Sequence, residues 1–240
     1  MLYNILAIGD VVGGCGVSCL ERHLRAVKKL KNIHFTVVNG ENAAMVGLTP
    51  NDAERIFAAG ADVITLGNHT FGKMQITDYL DDCPYILRPH NLGARVPGRG
   101  YGVFDCGRAR IAVMNLIGRC DLAFNADNPF KTADELLKNE EKPTFTLLDF
   151  HAEATSEKLA MAYYLDGRVS AIWGTHTHVP TADEEVFPKG TGYVTDLGMT
   201  GAVRSVLGIR PEQSVETFLG GLPGRYREPE KSAGKMQGAI

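Results

Sequence analysis

The sequence predicts an α/β fold in which two mixed β-sheets carry helices on their outer faces. Short apolar runs alternate with amphipathic stretches through the first quarter of the 240-residue chain, and this βαβαβ order is typical of parallel strands. The middle of the chain adds a hairpin signal, which brings antiparallel pairing into the second half. Polar side chains of metal-ligating type follow five of the strands, and open α/β sheets place their sites at that edge.

The N-terminal part of the chain predicts three strands and two helices. A helix over 18–31 places Leu20 and Leu24 on one face, which is the periodicity of a helix packed on a sheet. A second helix begins at Thr49, whose hydroxyl suits the N-cap position ahead of a proline, and it ends at Gly60. The strands of this part are 3–8, 34–38 and 62–66.

The middle of the chain predicts a hairpin followed by alternating helices and strands. Cys106 and Gly107 form the turn of the hairpin. From Gly220 the composition predicts a loop and a frayed tail with at most one short edge strand, and we expect 1–240 to form a single domain. The predicted elements are strands 100–104, 110–116, 144–148 and 169–173 and helices 132–141 and 155–165.

Composition and charge exclude several classes of protein. The net charge of −3 argues against general binding to nucleic acid or to an anionic membrane. The five cysteines are odd in number and lack CxxC spacing, so neither a disulfide framework nor a structural zinc site is expected. No basic segment precedes a long apolar run, which argues against a signal peptide and a membrane span. We expect a cytoplasmic homo-oligomer that acts on a small molecule.

Metal-competent side chains follow five of the predicted strands. None of them is a thiolate, and a set of Asp, Glu, Asn and His suits Mn, Fe or Zn in mixed oxygen and nitrogen coordination. His176 and His178 are two residues apart, so an extended backbone would point both to the same side. The residues at the five strand ends are Asp10, Glu41, Asn42, Asn68, His69, His151, His176 and His178.

Each of these residues alone has an ordinary structural explanation. Asp10 suits the cap of the helix that follows it, and His151 suits a hydrogen-bonded core histidine. Asn42 and Asn68 suit turns. Glu41 is harder to explain in this way, because a carboxylate directly after an apolar strand needs a partner. The metal-site hypothesis therefore depends on the coincidence of all five strand ends, and it leaves His23, His34 and His90 as structural or surface groups.

Six sequence blocks resemble a known family. GD, GNH and GTHTH occur in the order typical of the calcineurin-like metallophosphoesterase superfamily. IGDVVG, NGENAA, GNHTF, DFHAEATSEK, GTHTHVPTAD and TDLGMTG, which run from Ile8 to Gly201, resemble its YmdB-like branch of bacterial phosphodiesterases. The resemblance implies a four-layer αββα sandwich, a dinuclear metal site, and activity on cyclic nucleotides of the 2′,3′ and 3′,5′ types.

The resemblance also assigns a role to each strand-end residue. The wider superfamily has Asp-x-His on the first strand and a bridging Asp after the second, and here Val12 and Glu41 occupy those places, as in the closer branch. His69 is implied to be the catalytic histidine and Glu41 the bridge between two divalent ions, with Fe or Mn expected and Zn as the alternative. The implied ligands are Asp10, Glu41, Asn42 and His178 for one ion and Glu41, Asn68, His151 and His176 for the other.

Such a residue set implies a mechanism for phosphodiester hydrolysis. Two divalent ions about 3.5–4 Å apart would supply a hydroxide able to attack phosphorus, and their charge would stabilise the transition state. His69, next to Asn68, is the natural general acid for the leaving oxygen. The residues expected to orient the ligand histidines are Asp149, Glu153 and Asp196, and weaker candidates for contacts with phosphate are Lys73, Arg88 and Arg119.

Two alternatives belong to other functional classes. The segment 13–19 resembles a dinucleotide-binding turn, with Glu41 as the acid after the second strand. A full G-x-G-x-x-G from Gly14 requires glycine where Cys19 stands, and this interpretation leaves the strand-end histidines unexplained. No P-loop motif is present. The second alternative is a regulatory protein that keeps the site but signals by binding a partner.

Overall fold

The computed structural model describes residues 2–122, 125–138, 142–222 and 224–240. Two β-sheets lie face to face, and helices cover the outer face of each sheet. Three buried apolar clusters fill the interfaces between these four layers: helices against the first sheet, sheet against sheet, and the second sheet against helices. The predicted α/β fold is therefore confirmed as an αββα sandwich.

Fourteen strands, six α-helices and one 3₁₀ helix make up the described part of the chain. The helices are α1 (Gly13–Leu30), α2 (Pro50–Ala59), α3 (Ile76–Asp82), the 3₁₀ helix His90–Leu92, α4 (Pro129–Leu137), α5 (Thr155–Leu165) and α6 (Pro211–Phe218). The strands are β1 (Asn4–Ile8), β2 (Asp10–Val11), β3 (Ile33–Asn39), β4 (Val63–Thr65), β5 (Ile86–Leu87), β6 (Tyr101–Asp105), β7 (Arg110–Ile117), β8 (Phe145–His151), β9 (Ala171–Thr175), β10 (Glu185–Val186), β11 (Gly192–Val194), β12 (Met199–Ala202), β13 (Gly234–Lys235) and β14 (Gly238–Ala239).

Both large sheets have a parallel centre and at least one antiparallel edge. The first sheet has the order β14-β1-β3-β4-β5, and its four strands other than β14 are parallel. The second sheet has the order β10-β11-β9-β8-β7-β6 and is parallel from β11 to β7, with the predicted β6–β7 hairpin at one edge. A small third sheet, β13-β12-β2, joins the start of α1 to the C-terminal part of the chain.

Helix α1 begins at Gly13, earlier than the predicted helix over 18–31. Gly13 has a positive φ of 65°, a conformation that glycine adopts without strain. The N–H of Cys15 in the first turn donates to Glu228 Oε2 at 3.1 Å. The stabilising carboxylate comes from the far end of the chain, so the local sequence carried no signal for this start.

Helices α2 and α4 begin with caps made by residues close to them in the sequence. At α2 the predicted cap is confirmed, because Thr49 Oγ1 accepts the N–H of Asp52 at 3.1 Å. At α4 the cap is Asn128, whose Oδ1 accepts two N–H groups of the first turn. The helix therefore starts before the predicted residue 132, and positions 139–141 of the prediction lie outside the described residues.

The C-terminal tail differs from the prediction. Instead of at most one edge strand it supplies two strands, and each joins a different sheet. Strand β13 pairs with β12, and β14 pairs with β1 along the edge of the first sheet. Neither two-residue strand has an amphipathic pattern of its own, so only the pairing partners define them.

One buried side chain connects the two large sheets directly. Asn115 of β7 is fully buried, and its Nδ2 donates to the carbonyl oxygens of Leu66 and Leu87, both at 2.7 Å. These carbonyls follow β4 and end β5 of the facing sheet. The amide therefore holds the carboxyl ends of both sheets together next to the predicted site.

We expect Asn115→Ala to lower the free energy of unfolding by about 2–4 kcal/mol, because two hydrogen bonds are lost and a buried carbonyl is left without a donor. Urea denaturation measures this effect. The control is Asn51→Ala, at an exposed position of α2, which should change the stability by less than about 0.5 kcal/mol. Equal stabilities of the two variants would show that the amide does not tie the sheets together.

Candidate metal centre

The eight polar residues predicted from the strand ends lie together at one edge of the sandwich. Each is delivered by a strand end or by the turn after it, and a continuous chain of contacts joins all eight. A cavity of about 390 Å³ opens onto this cluster, and its polar side is lined by Asn42, His69, Glu153, His176, Thr177 and His178.

His151 lies at the centre of the cluster. It is fully buried as the last residue of β8. Its Nε2 lies 2.9 Å from Asn68 Oδ1, 2.9 Å from Glu41 Oε2 and 3.1 Å from His176 Nδ1. One ring nitrogen cannot form three good hydrogen bonds at once. Four atoms with lone pairs therefore converge on one point.

A second group of donor atoms lies beside the first. Asp10 is fully buried on β2. Its Oδ2 accepts the N–H of His176 at 3.1 Å, while its Oδ1 lies 3.8 Å from His178 Nε2. The same His178 nitrogen lies 3.2 Å from Asn42 Nδ2. Asp10, Asn42 and His178 thus form a set of side chains next to the first one.

The two histidines of the last turn reach the cluster in a way that the sequence did not predict. Strand β9 ends at Thr175, and His176 and His178 have positive φ angles of 99° and 64°. The expectation of an extended backbone with both rings on one side is therefore wrong. The left-handed backbone sends His176 toward His151 and His178 toward Asp10, so the rings reach different parts of the cluster.

The donor set fits divalent cations. Asp10 Oδ1 and Glu41 Oε2 are buried without a hydrogen-bond donor. The His151 nitrogen beside Glu41 Oε2 carries a lone pair, because Nδ1 of the neutral ring donates to Thr175 Oγ1, which itself donates to Asp149. A buried carboxylate oxygen requires a positive charge or a hydrogen-bond donor. Within the described ranges no three His, Cys, Asp or Glu side chains are already arranged as a metal site; the donor atoms contact one another instead. Gly67 allows this close approach, because a Cβ there would overlap the carboxylate of Glu41 and the ring of His151.

In the absence of a bound cation, burial shifts the pKa values of the acidic and basic side chains in the cluster. It raises the pKa of Glu41 to about 7 and raises the pKa of Asp10 from its ordinary value. It lowers the pKa of both His151 and His176 to about 4. The two imidazoles are therefore neutral at pH 7, which is the form that offers a lone pair to a metal.

Other side chains hold the histidines in place. His176 Nε2 lies 2.9 Å from Glu153 Oε2, as predicted. His151 Nδ1 lies 2.9 Å from Thr175 Oγ1, which donates to Asp149 Oδ1 at 2.7 Å. Asp149 thus orients the ring through Thr175. This threonine was not predicted, because a lone hydroxyl in a strand has no distinctive sequence pattern.

The turn that carries His176 and His178 is anchored at its middle residue. Asp196 accepts both the N–H and the hydroxyl of Thr177, at 3.2 and 2.8 Å. The same carboxylate pairs with Lys158 at 2.8 Å, and both partners are buried. Asp196 therefore fixes the turn rather than either ring. Lys158 was not predicted, since a lysine on a helix is usually solvated.

The weaker phosphate-contact candidates lie elsewhere. Arg88 is buried, and its guanidinium donates to five backbone carbonyl oxygens, so it serves the loop structure. Neither Lys73 nor Arg119 lines the cavity. The structural interpretation of His34 agrees with its stacking on Tyr3, at 4.6 Å between ring centroids.

The dinucleotide-binding alternative conflicts with the start of α1. The glycine-rich turn faces Glu228, whose carboxylate accepts the N–H of Cys15. The position that a phosphate would occupy at this helix start is thus held by an acid of the chain itself. Glu41 is fully buried in the cluster and is not placed to bind a ribose.

The fold and the site together define a metallophosphoesterase-like protein. The chain belongs to the family of YmdB-like proteins, whose family model matches residues 6–240. A relative in Bacillus subtilis (strain 168), named 2′,3′-cyclic-nucleotide 2′-phosphodiesterase, is 46% identical over 229 residues, which cover 95% of this chain and 86% of the relative. The chain is accordingly an enzyme of the phosphoric diester hydrolase class.

Two solved structures share the whole fold. A crystal structure described as a novel phosphatase from Mycoplasma pneumoniae has a TM-score of 0.91 at 34% identity, covering 98% of this chain and 86% of that chain. A crystal structure of a hypothetical protein from Thermus thermophilus has a TM-score of 0.89 at 38% identity, covering 95% and 88%. In the described part of this chain, no helix combines the length and the apolar character needed to cross a membrane.

We expect Gly67→Ala to reduce phosphodiesterase activity by about 100-fold or more, because the new methyl group displaces the Glu41 carboxylate and the His151 ring from each other. Gly192→Ala is the matched control, since its Cβ would only reach ordinary contacts at 3.8 Å. Steady-state rates and circular dichroism of both variants test this. Activity within twofold of the control would contradict the close packing at Gly67.

Proposed function

We propose that this enzyme hydrolyses nucleoside 2′,3′-cyclic phosphates at a two-metal site and releases nucleoside 3′-phosphates. The observation that carries the proposal is the convergence of donor atoms on His151 Nε2, next to two buried carboxylate oxygens without partners. The name of the Bacillus subtilis relative supports the choice of substrate. The implied activity on 3′,5′-cyclic nucleotides is a further part of the proposal.

The residues divide into two ligand groups. Asp10, Asn42 and His178 would hold one ion, Asn68, His151 and His176 the other, and Glu41 would bridge them. When bound, two divalent ions activate a water molecule and neutralise charge on the phosphate oxygens. Oxygen and imidazole donors without thiolate suit Fe or Mn, with Zn as the alternative.

His69 is the residue that we assign to proton transfer. Its backbone N–H donates to Glu41 Oε1 at 2.9 Å, and its Nε2 lies 3.3 Å from Asn68 Nδ2. The residue lines the cavity, so its ring can meet a bound phosphodiester. This position, beside two ligand residues, suits a general acid that gives a proton to the departing O2′.

The proposed reaction balances as a hydrolysis. Water adds to phosphorus, the P–O2′ bond breaks, and the proton from His69 converts the departing oxygen into the 2′-hydroxyl. The 3′-phosphate monoester keeps one proton of the water, and the other proton returns the histidine to its starting state. Glu153 supports the site from outside by holding the exposed nitrogen of His176.

A substrate panel tests the proposed function. We expect adenosine 2′,3′-cyclic phosphate to be converted to the 3′-monophosphate with a kcat/KM at least about tenfold above that for phosphomonoesters. The panel includes adenosine 3′,5′-cyclic phosphate, and chromatography identifies the products. A preference for monoesters, or release of the 2′-monophosphate, would show that the proposal is wrong. Absence of turnover on every substrate would favour the regulatory alternative.

We expect His69→Ala to keep its metal content and to lose activity according to the leaving group. Nitrophenolate departs without a proton, so the rate on bis(4-nitrophenyl) phosphate should fall little. The 2′-alkoxide needs the proton, so the rate on a 2′,3′-cyclic nucleotide should fall by about 100-fold or more. Metal analysis by mass spectrometry and rates on both substrates provide the measurement.

Two comparison variants separate the roles in this experiment. Glu41→Gln should lose metal at both positions, because a neutral amide oxygen is a poorer bridge than a carboxylate oxygen. His23→Ala, at an exposed position of α1, should change neither metal content nor rate. If His69→Ala loses metal as Glu41→Gln does, His69 is a ligand; if its rates fall equally on both substrates with full metal content, it is not the general acid.

A further inference from the structure

The cavity beside the candidate metal centre has a second, apolar wall. Besides its polar residues, the cavity is lined by apolar side chains that together form this wall: Val12, Met45, Val46, Leu207, Ile209 and Tyr226. Neither a phosphate group nor a metal ion needs such a surface. The apolar wall therefore points to another part of the substrate.

Tyr226 is the aromatic residue of this wall. It is 55% exposed and lies on the C-terminal segment, far in sequence from the metal-site motifs. The side chain of Gln213 in α6 binds the backbone on both sides of it: its Nε2 donates to the carbonyl of Arg225 at 2.9 Å, and its Oε1 accepts the N–H of Arg227 at 3.1 Å. This clamp fixes the backbone on which the tyrosine stands.

The same segment is tied to the body of the protein at two further points. The N–H of Arg210 donates to the carbonyl of Arg227 at 2.9 Å. Two residues after Tyr226, Glu228 binds the start of α1 through the N–H of Cys15. Helix α1 directly follows Asp10 and Val12 in the chain, so the tyrosine has a defined place relative to the candidate metal centre.

Leu207 connects the apolar wall with the polar wall. It has a positive φ of 52° in a tight turn closed by two hydrogen bonds between Val206 and Ile209, both at 2.9 Å. Its carbonyl oxygen lies 3.1 Å from His178 Nδ1. One group of residues thus holds a proposed ligand histidine in place and also lines the apolar wall.

We propose that Tyr226 is a specificity-determining residue that stacks on the nucleobase of the substrate. The proposal rests on the proposed function and deepens it, because it selects nucleoside cyclic phosphates over cyclic phosphates without a base. A flat base with apolar faces suits an exposed aromatic ring, and such stacking tolerates all four bases. The aliphatic side chains of the apolar wall would pack around the base, while the cyclic phosphate reaches His69, His176 and His178.

The experiment compares two substrates that share the five-membered cyclic phosphate. Adenosine 2′,3′-cyclic phosphate has a base, and glycerol 1,2-cyclic phosphate has none. Tyr226→Leu should raise KM for the nucleotide by about tenfold, the effect expected for loss of one stacked base, with little change of kcat. The kcat/KM for the glycerol compound should stay within about twofold of that of the wild-type enzyme.

Three further variants serve as controls for the Tyr226→Leu result. Tyr226→Phe keeps the ring and should restore KM for the nucleotide. Gln213→Ala releases the clamp and should raise KM for the nucleotide only, by less than Tyr226→Leu does. Tyr163→Leu changes another exposed tyrosine, on α5 and outside the cavity lining, and should leave both substrates unaffected.

The outcomes distinguish this proposal from the proposed function. If Tyr226→Leu changes both substrates equally, or neither, the stacking role is wrong while hydrolysis of cyclic phosphodiesters stands. If the wild-type enzyme uses the glycerol compound as well as the nucleotide, base recognition is also wrong. If it hydrolyses neither compound, the proposed function falls and the stacking proposal falls with it.

Discussion

The burial of two carboxylates, Asp10 and Glu41, is the constraint on which the rest of the site depends. Each side chain is fully buried and has one oxygen without a hydrogen-bond partner. A buried carboxylate without compensation is unfavourable, and in the proposed function bound cations supply that compensation. The neutral imidazole of His151 and the glycine at position 67 are consistent with this arrangement. Both let the Glu41 carboxylate and the His151 ring come close together in the buried cluster.

A second set of buried polar groups makes that geometry rigid. Lys158 and Asp196 form a buried ion pair, and Asp196 also binds both polar groups of Thr177. An ion pair of this kind adds little net stability, because desolvation offsets the attraction. Its use here is positional: it holds a turn in which His176 and His178 adopt left-handed backbone conformations. Lys158, Asp196 and Thr177, none of which is a proposed ligand, hold this backbone in place.

The C-terminal part of the chain contributes both to the fold and to the proposed recognition of the substrate. Glu228 stabilises the start of α1, β13 and β14 each pair at the edge of a sheet, and Tyr226 lines the cavity. The same contacts that complete the fold therefore place Tyr226 near the site. In the proposed enzyme, the metal ligands come from strand ends, and Tyr226 of this C-terminal segment selects the substrate.

The sequence by itself determined the α/β class, the hairpin, the cap of α2 at Thr49 and the identity of the eight strand-end residues. These features are local: a cap, a turn or a polar residue after an apolar run carries its signal within a few positions. The tertiary structure alone decided the early start of α1, the two tail strands, the different contacts of His176 and His178, and the supporting roles of Thr175 and Lys158. Each of these depends on a partner distant in sequence, such as Glu228 for α1 or Asp196 for Lys158. A local pattern cannot encode a contact whose partner only folding brings near.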